Sequence, residues 1–387
     1  MTINLAFPRF LTVGAGAMNE TAAALAKLGL RRPLIVTDKF LAGNGVAADL
    51  EKLLIDADYS VVTFSDTVPD PTTGSLTAGV NAVREHRADC VIGLGGGSPM
   101  DTAKALAVLA STDEPMRHYK APNSYAGTAL PIIAVPTTAG SGSEATQFTV
   151  ITDEETDEKM LCPGLSFLPS AAIIDYRLTV SMPARLTADT GVDALTHAIE
   201  AYVSRKANPI SDSLALGAVR TIGQYLRRAY FDGGDAEARE AMMLAATQAG
   251  IAFSNSSVCL VHGMSRPIGA HFHVAHGLSN AMLLPAVTEF SVPAAEDRYA
   301  ACARAYGAAG DADSDATAAR KLVAEIHRLC VDVEVPTPAG YGIDSTAWEG
   351  LIPLMAEQAI ASGSPANNPV VPTSAQIEQL YTSIYRR

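Results

Sequence analysis

No CxxC pair occurs among the five cysteines, Cys90, Cys162, Cys259, Cys302 and Cys330, which are scattered and odd in number. That argues against a thiolate zinc site and fits a reducing cytoplasm. A basic stripe is also missing, and the formal net charge is -13. Such a balance opposes a phosphate backbone, so nucleic acid is not an expected partner. No apolar run approaches the length of a membrane span. The start, MTINLAFPRF, lacks a charged segment followed by an apolar one, so no signal peptide is expected. There is no internal repeat and no low-complexity tract.

What is present is a chain of 387 residues, 48% hydrophobic and 18% charged. That is an ordered soluble protein, long enough for about two domains. The first half alternates β-branched runs with alanine-rich ones. Strands are expected at 33–37, 60–64, 90–94 and 131–135, with further short ones near 148–151 and 172–175. Helices are expected at 18–28, 47–56, 73–87 and 99–110. This alternation implies a parallel, Rossmann-like sheet with helices on both faces, over residues 1–180. From about Ser181 apolar residues recur at helical spacing, which implies an all-α domain over 181–387.

Histidine is concentrated. Five of eight fall at His197, His262, His271, His273 and His276. Asp193 and His197 are four apart on an expected helix and share one face. His262 and His276 on one straight helix would stand roughly 21 Å apart, against metal–ligand bonds of about 2 Å. The chain must therefore break between them if both bind one ion, and Pro267, Gly269 and Gly277 mark the expected breaks. The proposed ligand set is Asp193, His197, His262 and His276. The alternative is two core helices carrying buried, hydrogen-bonded histidines.

The segment GLGGGSPMDTAK at 93–104 carries a strand into Gly95, Gly96 and Gly97 and then a helix. Ser98 is the expected N-cap, Pro99 the first helical residue and Asp101 the acid of a capping box. Glycines bring backbone N–H groups close to a ligand, and a helix N-terminus attracts anions, so this loop reads as a pyrophosphate site. The alternative is an ordinary strand-to-helix turn. A second loop, VPTTAGSGSE at 135–144, follows another strand and offers hydroxyls and glycines to a nucleotide. Asp38 ends the strand PLIVTD, where an acid would accept from an adenosine ribose and repel a 2′-phosphate. NAD is expected over NADP on that ground. A turn aspartate is the alternative.

With these pieces placed, the chain resembles the iron-containing, or group III, alcohol dehydrogenases. The residues that carry the likeness are GGGSPMDTAKA, PTTAGSGSE, GVDALTHAIEAY and VHGMSRPIGAHFHVAHG with its following LSNAMLLP. The likeness runs from roughly Phe10 to Tyr385. It implies a dinucleotide-binding domain followed by a helical one, an architecture like that of dehydroquinate synthase, with the active site in a cleft. It implies a divalent metal, iron(II) by the family name with zinc as the substitute, on Asp193, His197, His262 and His276. Cofactor contacts are implied at Asp38, Gly97, Ser98, Thr137, Thr138, Ser141 and Lys159. Asp70 matches a position that is often asparagine. A homodimer or higher oligomer is implied too.

The expected reaction is reversible hydride transfer between a small alcohol and nicotinamide, with the metal polarising the substrate oxygen. Many relatives carry histidine four residues after the first metal histidine of this segment; here Arg266 stands there. Arginine cannot titrate near neutral pH. His273 is the substitute candidate for the proton relay, with a structural histidine as the alternative. Arg266 instead suits a carboxylate, sulfonate or phosphonate on a short aldehyde if it faces the cleft. Glu200 shares a face with His197, as a residue that orients a ligand or as a surface salt bridge. A maleylacetate-reductase-like enzyme and a non-catalytic nucleotide-binding protein are the rival readings.

Overall fold

The computed structural model describes residues 2–386; positions 1 and 387, the outer ends of the two expected domains, lie outside the described residues. Two compact units emerge. One comprises Asn4–Thr138 and Gly142–Val180. The other comprises the chain from Ser181 onward with the short segment Ala139–Ser141 and the residues ahead of Asn4.

The first unit holds β1 (Phe10–Val13), α1 (Thr21–Leu28), β2 (Pro33–Asp38), α2 (Lys39–Gly43), α3 (Val46–Asp56) and β3 (Val62–Thr67). These are followed by α4 (Leu76–His86), β4 (Cys90–Gly95), α5 (Gly97–Leu109), β5 (Ile132–Pro136), β6 (Phe148–Asp153), β7 (Glu158–Pro163) and β8 (Ala171–Ile174). Six strands form one parallel sheet in the order β1-β8-β5-β4-β2-β3. Alternation along each strand divides its side chains between two cores. Leu34, Val36 and Val91 pack with Leu76, Val83 and Leu106 from α4 and α5. Ile35, Ile92, Leu94, Ile133 and Val135 pack with Leu25, Leu50 and Leu54 from α1 and α3.

Two expectations need correcting. The strand near Phe148 does not join the parallel sheet; β6 pairs antiparallel with β7 in a separate ribbon. The strands β1 and β7 were not anticipated: β1 is only four residues long, and β7, EKMLCP, has no β-branched residue. β1 is a four-residue edge strand with an alternating burial pattern.

The second unit is helical among its described residues. It comprises α6 (Ala184–Val203), α7 (Pro209–Phe231), α8 (Ala236–Ser254), α9 (Leu260–Phe272) and α10 (His276–Ser291). After these come α11 (Glu296–Tyr306), α12 (Asp315–Asp332), α13 (Pro338–Tyr341), α14 (Ser345–Ala361) and α15 (Ser374–Ile384). Its helix starts are chemically marked. Asn208 caps α7 in a capping box with Ser211 ahead of Pro209, and Thr373 caps α15 with Gln376. Among the described residues no helix is long and apolar enough to cross a membrane.

Candidate metal centre and nucleotide loops

Helix α6 is buried over most of its length, and both Asp193 and His197 lie on it, one turn apart. His262 sits in the first turn of α9, and His276 is the first residue of α10. The expected break between them is real but falls elsewhere. α9 runs through Pro267 and Gly269, and the chain turns at His273, which adopts a left-handed φ of 54°. Gly277 lies inside α10 and has a different task. A Cβ there would stand 2.5 Å from the Asp189 carbonyl oxygen and 3.4 Å from Asp193 Cβ. Only glycine lets the start of α10 approach α6 so closely, and that approach carries His276 to Asp193.

The ligand atoms of Asp193, His197, His262 and His276 all lie within 4.8 Å of one another. From Asp193 Oδ1 the imidazole Nε2 atoms stand at 3.6 Å (His262), 3.8 Å (His276) and 3.9 Å (His197). The His197 ring is stacked between Phe253 at 4.3 Å and His262 at 4.5 Å. Three of the four side chains are buried, while His276 is 43% exposed and opens the cluster on one side. Burial pushes the Asp193 carboxyl up, but His197, His276 and His262 outweigh it and hold it well below the usual carboxylate range. His197 moves the other way, down to about 4, because burial disfavours its charged form more than Asp193 favours it.

Sequence reasoning left Glu200 open and missed Asn280. The Glu200 carboxylate is buried and accepts from the backbone N–H of Cys259 (2.8 Å) and Val261 (2.7 Å), at the start of α9, where a negative charge suits the helix dipole. It also accepts from His262 Nδ1 at 2.6 Å. A carboxylate can only accept here, so Nδ1 carries the proton and Nε2 is the atom turned to the cluster. The surface salt-bridge alternative for Glu200 is thereby corrected: it is an interior group with three donors.

Asn280 Nδ2 lies 2.7 Å from Asp193 Oδ1, 3.1 Å from His262 Nε2 and 3.2 Å from His276 Nε2. An amide NH2 has two hydrogens for these three acceptors. With the imidazoles neutral, as a bound cation requires, the converging lone pairs exceed the protein donors that meet them. Without a cation, burial pushes His262 down, but Glu200 and Asp193 outweigh it and push His262 up to about 9. One carboxylate and three imidazoles suit iron(II) and zinc, and the cluster fits either ion.

In the first unit the parallel sheet brings the ends of β2, β4 and β5 to one edge. Helices α3 and α5, which follow β2 and β4, pack on opposite faces, so the β2/β4 gap is a topological switch point, where open α/β sheets bind ligands. Asp38 flanks it on one side and Gly95–Ser98 on the other. Gly95 has φ 150°, and a Cβ there would meet Pro99 Cγ at 2.6 Å. The helix begins two residues earlier than expected. Gly96 is the N-cap, α5 starts at Gly97, and Ser98 makes no cap bond but accepts from the Asp70 N–H at 3.3 Å.

Asp70 in turn accepts from Lys159 Nζ at 2.8 Å, so three expected cofactor residues meet. Thr137 donates its N–H to the Gly95 carbonyl at 3.0 Å, and Thr138 packs beside Gly96. Asp38 Oδ1 accepts from Leu41 N–H at 2.9 Å and caps α2, so the turn-aspartate alternative holds for one of its oxygens. Asp101 does not reach back over the helix start. Its carboxylate accepts from Ser143 Oγ and Val150 N–H, each at 3.2 Å, and burial raises its pKa. Lys104, which sequence reasoning did not single out, is fully buried and donates to Thr146 O, Thr146 Oγ1 and Phe148 O at 2.8–3.0 Å. Ser141 belongs to the segment grouped with the helical unit.

Of the two expected catalytic residues, His273, the relay candidate, is exposed at the end of α9, and its ring has no hydrogen-bond partner among the described residues. Arg266 is largely buried on α9, and its Nη1 donates to Ser364 Oγ at 3.0 Å. Burial pushes the guanidinium down to about 10, with Glu200 acting in the opposite sense, so it stays cationic at neutral pH.

A four-donor nitrogen and oxygen cluster on helices and a glycine loop at a sheet switch point are compatible with an enzyme that uses a metal ion and a nucleotide. Residues 8–176 match the family "Iron-containing alcohol dehydrogenase", and residues 187–385 match "Fe-containing alcohol dehydrogenase family, C-terminal". The chain belongs to the iron-containing alcohol dehydrogenase family, whose members are oxidoreductases acting on CH–OH groups. It is 36% identical to the NAD-dependent methanol dehydrogenase of Bacillus methanolicus, over 97% of this chain and 98% of that one. It is 40% identical to long-chain-alcohol dehydrogenase 1 of Geobacillus thermodenitrificans, over 90% of this chain and 88% of that one. The solved structure of a 1,3-propanediol oxidoreductase superposes with a TM-score of 0.95 at 33% identity, covering 100% of both chains.

Proposed function

We propose that this chain is a metal-dependent, NAD-linked alcohol dehydrogenase that works reversibly on a small alcohol or aldehyde. The observation that carries the reading is the meeting of four donor atoms from three helices within 4.8 Å. Asp193, His197, His262 and His276 would hold iron(II) or zinc, which when bound supplies Lewis acidity at a substrate oxygen. The α/β part, 1–180, would take the dinucleotide, and the helical part, 181–387, the metal and substrate.

In the nucleotide site the backbone N–H groups of Gly96, Gly97 and Ser98 would receive the pyrophosphate, while Asp101 and Lys104 tie α5 to the segment 143–150. Thr137, Thr138, Ser141, Lys159 and Asp70 would line the rest. Asp38 keeps one carboxylate oxygen for a ribose hydroxyl, which supports NAD over NADP. Equal catalytic efficiency with both would remove that role. Oxidation of the alcohol releases a hydride from carbon and a proton from oxygen. His273, exposed and unpartnered at its ring among the described residues, would pass that proton to solvent. Arg266 would sit against the substrate.

The scattered, unpaired cysteines support a cytoplasmic setting, and the family resemblance supports a homodimer or larger oligomer, which sedimentation would test. For the main reading, chelator-stripped protein is reloaded with iron(II), zinc or nothing and assayed with short alcohols and aldehydes by NADH absorbance. Turnover that returns only with metal is the expected result. Turnover indifferent to chelation would favour the maleylacetate-reductase-like rival, and none at all would sink the reading.

A further inference from the structure

Arg239 and Arg266 both lie inside the helical unit, and neither forms an ion pair with a carboxylate among the described residues. Arg239 shows how such a residue is ordinarily accommodated. Its Nε donates to Gly233 O (2.9 Å), Nη1 to Thr187 Oγ1 (2.8 Å) and Nη2 to Met182 O (3.2 Å), so each nitrogen has an acceptor. Arg266 has one, Ser364 Oγ at 3.0 Å. Its other N–H groups meet no acceptor among the described residues. Those remaining N–H groups are not sealed from solvent, so they are open to a ligand that offers acceptors.

The position is specific. Arg266 follows His262 by four residues, so both lie on one face of α9, separated by about 6 Å of helix axis. The neighbouring 3-10 turn Ser364–Asn367 is held against α9 at Gly263, where a Cβ would stand 2.7 Å from Pro365 Cγ. That packing sets Ser364 beside the guanidinium. The Ser364 hydroxyl accepts from Arg266, and its own proton has no acceptor among the described residues. The guanidinium and this hydroxyl thus present donors and a positive charge, with no acidic side chain paired to them.

We propose that Arg266 and Ser364 form an anion subsite that holds the carboxylate or sulfonate end of a short aldehyde or alcohol whose oxygen end lies at the four-donor cluster. The proposal rests on the dehydrogenase reading and adds the substrate class to it. The planar fork of arginine matches a carboxylate or sulfonate through two parallel N–H bonds, which an uncharged chain end cannot return. In the reducing direction a hydride from reduced nicotinamide adds to the carbonyl carbon and a proton from solvent to the oxygen. The nicotinamide leaves oxidised, and the anionic end is unchanged.

The test uses the full-length, metal-loaded protein as wild type, Arg266→Met, Arg266→Gln and Ser364→Ala. Each is assayed for kcat/KM with an ω-carboxy aldehyde, an ω-sulfo aldehyde and the methyl-ended aldehyde of equal length. Wild type is expected to prefer an anionic substrate by at least about tenfold, and that ratio to fall about 100-fold in Arg266→Met and about threefold in Ser364→Ala. Arg266→Gln keeps a hydrogen bond to Ser364 without the charge. It gives the same loss of ratio, and stands in should the Met variant fail to fold. Calorimetric titration with an ω-hydroxy carboxylate reads the subsite without turnover. Turnover with no anionic preference, or a ratio unmoved by both Arg266 variants, overturns the subsite and leaves the dehydrogenase reading. Arg266-dependent carboxylate binding with no turnover of any alcohol or aldehyde does the reverse.

Discussion

His262 Nδ1 and Glu200 Oε2 stand 2.6 Å apart, with both side chains buried. The same carboxylate closes the start of α9 by accepting from Cys259 and Val261 N–H. One group therefore fixes both the helix that bears a metal ligand and the tautomer of that ligand. Glu200→Gln keeps one acceptor oxygen but sets an NH2 against N–H donors. The expected result is a loss of roughly 2–4 kcal/mol in unfolding free energy, measured by urea titration of metal-free protein. Metal affinity should fall by about 10- to 100-fold in competition with a chromophoric chelator. Unchanged metal affinity would show that Glu200 serves α9 alone.

Much of this was legible because its signals are local. Asp193 and His197 at helical spacing fixed one half of the cluster, and three consecutive glycines after a buried strand marked the loop at the switch point. What could not be read depended on partners distant in the chain. Glu200 and His262 are 62 positions apart, and nothing in GVDALTHAIEAY shows which face of that helix meets the α9 N-terminus. The break before His276 was misplaced because proline and glycine are the usual breakers, whereas α9 is ended by His273 in a left-handed conformation. Arg266 was visible as an oddity, but its missing acceptors could be seen only in the fold.

Asn280 offers two amide hydrogens to Asp193, His262 and His276, and so holds the cluster together when no cation does. Asn280→Ala should therefore destabilise metal-free protein by about 1–3 kcal/mol and metal-saturated protein by clearly less. Paired thermal melts with and without zinc measure the difference. Equal losses in both states would mean that Asn280 acts through packing.

Gly277 is the point at which α10 touches α6. Adding a methyl group would place a Cβ 2.5 Å from the Asp189 carbonyl oxygen, and that atom belongs to helix backbone that cannot swing aside. α10 must move, taking His276 with it. Gly277→Ala is expected to lower stability by about 1–3 kcal/mol and to reduce bound metal below one ion per chain, read by denaturant titration and elemental analysis. Full metal occupancy with unchanged stability would show that the contact is softer than its geometry implies.

The five buried thiols give a test that bypasses the metal. Burial raises Cys162, Cys302 and Cys330 from 9.0 to about 12, while the unfolded chain ionises near the lower value. Between those values the folded state binds more protons than the unfolded one. Their contribution to stability is therefore complete below pH 9 and lost as pH rises toward 12. Denaturation midpoints should decline across that window, and less steeply in a variant with Cys302→Ala and Cys330→Ala. The same burial predicts that a thiol reagent at pH 8 labels native protein at the rate of unfolding and urea-treated protein at once. Prompt labelling of the native state would show these sulfurs to be reachable, and the alkaline decline would then need another source.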